Sequence, residues 1–168
     1  MAPRKKQEKP APAPIGLDLQ VLQKLRIVIR AAQRHSLWIE KQCGVNGAQL
    51  WIMQELMEAP GLRVGQITAR LAIQQTTTSN LLDGLERKGY VVKTRDRDDQ
   101  RVVKLELSDA GKALLLKAPK PARGLLPEAL GKLHEQYLTQ LNDSLQGLLQ
   151  CIEVLDEGFG LQPLPFNM

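Results

Sequence analysis

The sequence of 168 residues predicts a mainly α-helical fold with one small β-hairpin. Three observations lead there. Apolar residues recur at three- and four-residue steps through most of the chain. Two short β-rich runs, Tyr90–Lys93 and Val102–Leu107, flank a loop dense in charge. Glycine and proline cluster where the helical patterns stop.

Residues 18–43 read as one long helix. Leu22, Leu25, Val28, Ile29, Ala32 and Ile39 fall at helical spacing, with Asp18 as the expected N-cap. Such a helix spans roughly 39 Å at 1.5 Å per residue, which is long for a small domain. Val21, Ile27 and Leu37 widen its apolar surface beyond one stripe. Burial against a second subunit accounts for both features. Gly44 ends the helix, and Asn46 with Gln49 forms a capping-box start for the next, which stops at Pro60–Gly61. Arg63–Val64 is long enough for a single rung of sheet, and a short helix follows over 65–72 with Ile67 and Leu71 inward.

The stretch "IQQTTTSNLL", residues 73–82, looks ill suited to a helix, because β-branched threonines lose rotamer freedom against the preceding turn. Its periodicity decides otherwise. Thr78, Leu81, Leu82 and Leu85 lie at i, i+3, i+4 and i+7, one helical face, and Gly89 is suited to end the helix. The two β-rich runs then form the hairpin, and the ionic loop Arg95–Arg101 between them must project into solvent or onto a charged partner. Ser108 is the N-cap of a further helix, which Pro119, Pro121 and Pro127 are expected to kink or break before about residue 131. A last long helix is expected over about 132–154, carrying Leu133, Tyr137, Leu141, Leu145, Leu148, Leu149 and Ile152. Cys151 in that apolar stripe reads as core.

Helix, short turn, helix and β-hairpin is the order of a winged helix-turn-helix. The predicted organisation is therefore a basic, proline-rich and disordered tail over 1–16, and flanking helical segments over 17–44 and 109–155, to which the family resemblance given below assigns dimerisation. Between them, 45–108 form the winged helix-turn-helix DNA-binding core, and 156–168 an irregular C-terminal tail.

Charge supports a polyanionic partner. From Arg63 to Lys104 nine basic residues face five acidic ones, a surplus of four within a chain whose net charge is +5. The tail from Met1 to Lys9 adds further positive charge. If Thr78 points inward, Thr76, Asn80, Asp83 and Arg87 lie on the opposite face, Thr77 and Ser79 flank it, and Gln75 sits at the helix start. Asn and Gln can pair bidentately with adenine, threonine methyls can meet a thymine methyl, and hydroxyls can reach phosphates. Arg95, Arg97 and Arg101 at the wing tip would lie along the backbone or in the narrow minor groove, with Asp96, Asp98 and Asp99 holding them in place.

The chain resembles the MarR family of transcriptional regulators over "ITARLAIQQTTTSNLLDGLERKGYVVKTRDRDDQRVVKLELSDAG". The likeness rests on Leu82 and Leu85–Gly89 closing the recognition helix, on Arg95, Asp96, Asp99 and Arg101 in the wing, and on Leu107–Gly111 after it. The resemblance implies an obligate homodimer joined through the first and last helices, bound to a palindromic operator in double-stranded DNA and acting as a repressor. It also implies that Asp99 and Arg101 form the wing pair, with the arginine entering the minor groove. Asn80 and Gly84 depart from the family, whose members often carry basic residues there.

Many members of the family release DNA when a small aromatic acid binds between the dimer helices and the DNA-binding lobe. His35, Trp38, Gln49 and Trp51 cluster near the junction of the first two helices. A salicylate- or hydroxynicotinate-like effector could stack on a tryptophan there and pair with His35. Oxidation of Cys43 is the alternative trigger. No cofactor or metal is expected, since no His/Cys/acid cluster has metal spacing. With no phosphate loop and no nucleophile elbow, enzyme chemistry is not expected either. A winged helix that docks proteins without binding DNA is the remaining alternative of another class. Cysteines far apart, no secretory signal and no apolar run of about 18 residues point to a cytoplasmic location.

Overall fold

The computed structural model describes residues 15–96, 101–152 and 156–167. The elements run α1 (Leu17–Cys43), α2 (Gly47–Glu58), α3 (Val64–Leu71), α4 (Gln75–Arg87), β1 (Val91–Arg95), β2 (Val103–Leu107), α5 (Asp109–Lys117), α6 (Leu125–Gly131) and α7 (Glu135–Gln150). Two short 3-10 turns, Glu157–Leu161 and Pro165–Asn167, follow. The mainly α fold with a hairpin wing is therefore present. The core lies under α2, which is buried along most of its length and packs on α1, α3, α4, α5 and β2. Ile39, Leu50, Ile52, Met53, Leu56, Ile67, Leu82, Leu85 and Leu105 are its largest buried side chains.

The start of α2 follows from its sequence. Asn46 Oδ1 accepts from the Gln49 amide at 2.8 Å and Gln49 Oε1 accepts from the Asn46 amide at 3.2 Å, a reciprocal capping box. The start of α1 does not follow the expectation. Gly16, not Asp18, is the N-cap, and Asp18 sits in the first turn, where its charge favours the helix N-terminus without a capping bond. Only the C-terminal half of α1 meets this chain's core, through Ala32, His35, Ser36, Ile39 and Cys43.

Strands β1 and β2 pair antiparallel from Val91 opposite Leu107 to Arg95 opposite Val103. A third rung comes from Leu62, one residue before the expected pair: its carbonyl accepts from the Leu105 amide, and the Gly61 amide donates to the Leu105 carbonyl, both at 2.9 Å. The hairpin is bound to α5 by Ser108, whose Oγ accepts from the Gly111 amide at 3.0 Å and donates to the Gly89 carbonyl at 2.6 Å. Gly111 is needed there because a Cβ would lie 2.2 Å from the Tyr90 carbonyl oxygen.

Pro119 and Pro121 break the next helix outright, as α5 ends at Lys117 and α6 begins at Leu125, whereas Pro127 does not interrupt but sits in the first turn of α6. Helix α7 is shorter than expected and starts behind His134, whose ring nitrogen accepts from the Gln136 amide. No residue of α7 is buried in this chain, and Cys151 after it is exposed rather than core. The C-terminal tail is not simply irregular. Its second turn docks on α1 and α2, with Ser36 Oγ donating to the Phe166 carbonyl.

Gly111→Ala should lower stability by about 2 kcal/mol or more, because backbone rather than a flexible side chain stands in the way. Gly65→Ala, on the open face of α3, should be neutral or stabilising by about 0.5 kcal/mol. Urea denaturation of both variants checks the contrast.

Candidate functional site

The three threonines open α4, and the helix tolerates them because its inner face is tightly held. Thr78 is fully buried. Its hydroxyl donates to the Gln74 carbonyl at 3.1 Å and accepts from Thr68 Oγ1 at 3.0 Å, which locks α4 against α3. Leu81, Leu82 and Leu85 bury the same face. On the opposite side Gln75, Thr76, Asn80, Asp83 and Arg87 are exposed, with Thr77 and Ser79 half-buried beside them. This is the face the helical wheel assigned to a groove.

The wing is held to that face by one lysine. Lys93 Nζ lies 2.7 Å from both Asp83 Oδ1 and Glu86 Oε2. Bonds to Asp83 and then Glu86 push the Lys93 ammonium up in pKa, and the same lysine lowers Asp83. The groups are too exposed to contribute much stability; the effect is to set the angle of hairpin to helix. Within the hairpin Lys104 pairs with Asp96. Arg95 and Arg101 are exposed at its described end, whereas Arg97, Asp98 and Asp99, which the sequence also singled out, lie outside the described residues.

Gly84 has a structural explanation that the sequence concealed. A Cβ there would sit 2.6 Å from Gln49 Nε2. That amide reaches the Leu81 carbonyl at 3.4 Å, while its oxygen serves the α2 capping box. An arginine at position 84 would have to push the Gln49 side chain off the Leu81 carbonyl.

A cavity of about 300 Å³ lies behind the reading helix, walled by α1, the start of α2, the α5–α6 connection and the C-terminal turns. Leu71, Ala72 and Ile73, the turn that leads into α4, also line it. The Leu161 carbonyl accepts from the amide of Gln74, the residue that begins α4, at 2.8 Å. Ala72 adopts a left-handed conformation, φ 52°, which disfavours any residue with a Cβ.

His35 and Trp51 line this cavity as expected, but two of the four proposed ligand residues do not. Trp38 is half-exposed and packs edge-on against His35 from outside, ring centroids 5.9 Å apart. Gln49 is buried and spends its amide on the capping box and Leu81. His35 itself is partly committed, since its Nε2 is 3.0 Å from the Pro121 carbonyl.

Sequence reasoning missed Glu55 and Arg123. Glu55 is a buried carboxylate on α2, bonded to Trp51 Nε1 (3.0 Å), Arg123 Nε (2.8 Å) and Arg70 Nη1 (2.9 Å). Burial alone would raise its pKa, but the bonds from Arg123, Arg70 and Trp51 outweigh burial and hold it below the ordinary value. Arg123 also reaches Glu58, Nη2 to Oε2 2.5 Å, and lines the cavity. The only signal in the sequence was an acid amid the apolar pattern of α2, whose partners lie 15 and 68 residues away. Cys43 is buried, and burial raises its thiol pKa, so the reactive thiolate is disfavoured.

Two tests follow. Gly84→Ala should cost about 1–3 kcal/mol, and combining it with Gln49→Ala should recover about 1 kcal/mol of the summed loss, read as a double-mutant cycle. Because Glu55 has a lowered pKa, its stabilisation is complete above its ordinary value of 4.5 and falls away as pH drops through the lower folded-state value. Glu55→Gln should therefore flatten the acid limb of a stability–pH curve while lowering stability at neutral pH.

Residues 44–102 match the MarR family model. The transcriptional repressor MdtR of Bacillus subtilis is 28% identical over 115 residues, 68% of this chain and 74% of that protein. The transcriptional regulator TtmR of Methylorubrum extorquens is 32% identical over 117 residues, 70% of this chain but only 57% of that one. The structure of a cysteine-to-serine mutant of MarR from E. coli, complexed with operator DNA, superposes with a TM-score of 0.51 at 17% identity, covering 80% of this chain and 99% of that one. The relatives are transcriptional regulators, not enzymes. Helix order, capped hairpin and polar reading face agree with these matches, and the chain belongs to the MarR family of winged helix-turn-helix transcriptional regulators.

Proposed function

We propose that the chain acts as a cytoplasmic homodimeric repressor that reads a palindromic operator and releases it when a small aromatic carboxylate fills the cavity. The uncharged face of Gln75, Thr76 and Asn80, flanked by half-buried Thr77 and Ser79, carries the DNA-reading part. It offers amides and hydroxyls to base edges, while Arg87, Arg95 and Arg101, and with them Arg97 and Asp99, serve the phosphates and minor groove.

Dimerisation is supported by apolar surface that this chain leaves uncovered. Val21, Ile27, Val28 and Ile29 of α1, and Leu141, Leu145, Leu148 and Leu149 of α7, are exposed. Contiguous apolar surface at helical spacing marks an interaction site, and a second copy of the same two helices matches it with two-fold symmetry. MdtR, a relative, is itself a repressor, which favours that sign of regulation here.

The effector reading is supported by the position of the cavity. His35 and Trp51 line one wall, and the turn into α4 forms another. A ligand that needs room there acts directly on the helix that reads DNA. Differential fit between bound and free states is what allows a ligand to shift the equilibrium. Docking of proteins without DNA has no comparable support, and burial of Cys43 weighs against the redox trigger.

A gel shift on the promoter region of the chain's own gene tests the proposal. Specific binding should weaken steeply with salt, as released counterions demand, and added salicylate-type acids should release the DNA. Asn80→Ala should relax sequence preference by about 1–3 kcal/mol at one position, whereas Arg101→Ala should lower affinity evenly across sites. Binding without sequence preference, or with the mass of one chain per site, would sink it.

A further inference from the structure

The cavity contains one strong charge. Arg123 is the only Lys or Arg, and there is no Asp or Glu, among the described residues lining it. The rest of the wall is largely aliphatic, from Ala32 and Ile39 on one side to Leu125, Leu126, Leu130 and Leu164 on the other. A site of this kind suits a flat apolar body ending in one anionic group.

Arg123 is held by two carboxylates of very different character. Glu55 is about 6% exposed in its side chain and also bonds Trp51 and Arg70, so separating it from the arginine would leave a buried carboxylate short of a partner. Glu58 is about 44% exposed, is bonded on its other oxygen by Gln54 at 2.7 Å, and meets Arg123 at the protein surface. An exposed pair exchanges with water at little cost. Together Glu55 and Glu58 take the Nε and one Nη group, two of the five N–H donors of a guanidinium.

We infer that Arg123 is the anion-binding residue of the cavity and Glu58 its resident competitor. An entering carboxylate displaces Glu58 from the outer edge of the guanidinium, while Glu55 keeps the inner edge and fixes the side chain. The planar fork matches a carboxylate in two-point geometry. Selectivity follows: acids bind and their neutral amides do not. This deepens the effector reading and rests on it, because it names the group that recognises the acid and the group the acid must displace.

Titration calorimetry with salicylate and 1-naphthoate, against salicylamide and 1-naphthamide, tests it on the full-length protein. Wild type should bind at least one acid and neither amide. Arg123→Gln should lose about ten-fold or more of the acid affinity, with Arg123→Lys intermediate. Glu58→Gln, a surface change that leaves the Glu55 bonds intact, should bind the acid about three- to ten-fold more tightly. Melting curves establish that each variant is folded. If an acid binds wild type but neither Arg123→Gln nor Glu58→Gln changes its affinity beyond two-fold, Arg123 is not the anion site, although the effector reading survives. Binding of the amides as tightly as the acids has the same consequence. If neither acid binds wild type or Glu58→Gln, the effector reading falls and this inference with it.

Discussion

The charge cluster at Glu55 joins α2, α3 and the α5–α6 connection at one point. One buried carboxylate on α2 takes bonds from α3 through Arg70, from its own helix through Trp51 and from the α5–α6 connection through Arg123. Ionising a carboxyl group in a protein interior is unfavourable unless its lone pairs are filled. Here three donors fill them, and among the described residues no buried side-chain nitrogen or oxygen is left without a partner. The arrangement fixes where the first helix of the helix-turn-helix sits relative to the cavity wall. It explains why α2, with little helical amphipathicity of its own, is the centre of the fold: it has the core on nearly every side.

The reading helix shows how a poor helix-forming sequence is kept helical by tertiary contacts. Threonine is disfavoured relative to alanine by about half a kcal/mol in a helix. Three in succession are acceptable because Thr78 bonds across to Thr68 and the leucines behind it are buried. The outer threonines are then free to serve as surface chemistry. Lys93 links the wing to the same helix, so helix and hairpin present one continuous surface.

Much of this was legible in the sequence, because it depended on local rules. Asn46 and Gln49 announced the α2 capping box, Ser108 the α5 cap, and the spacing of Thr78 with three leucines the inner face of α4. What was not legible depended on contacts between distant positions. Gly84 looked like a lost arginine, and only the packing of Gln49 from α2 shows that a side chain there must displace the Gln49 amide. Gln49 and Trp38 were natural ligand residues by proximity in sequence, yet one is consumed by a cap and the other faces outward. Cys151 sits in an apolar stripe that periodicity marks as buried, but periodicity cannot say against what, and within one chain that stripe is bare. The cavity could not be foreseen, since its walls come from Ala32 at one end of the chain and Asn167 at the other.

The docking of the C-terminal turns has an evolutionary consequence. Gly160, Gln162, Pro163 and Leu164 wall the cavity without contributing to the surface that α4 and the wing present. On the proposed function, substitutions there would alter which small molecule fits while the bases read stay the same, and substitutions at Gln75 to Asn80 would do the reverse. The Leu161 carbonyl on the Gln74 amide still connects the two, and it does so through backbone atoms that mutation of either side chain leaves in place. If the cavity takes the proposed effector, a lineage carrying this architecture can change its signal and its target genes in separate steps, each passing through a working regulator.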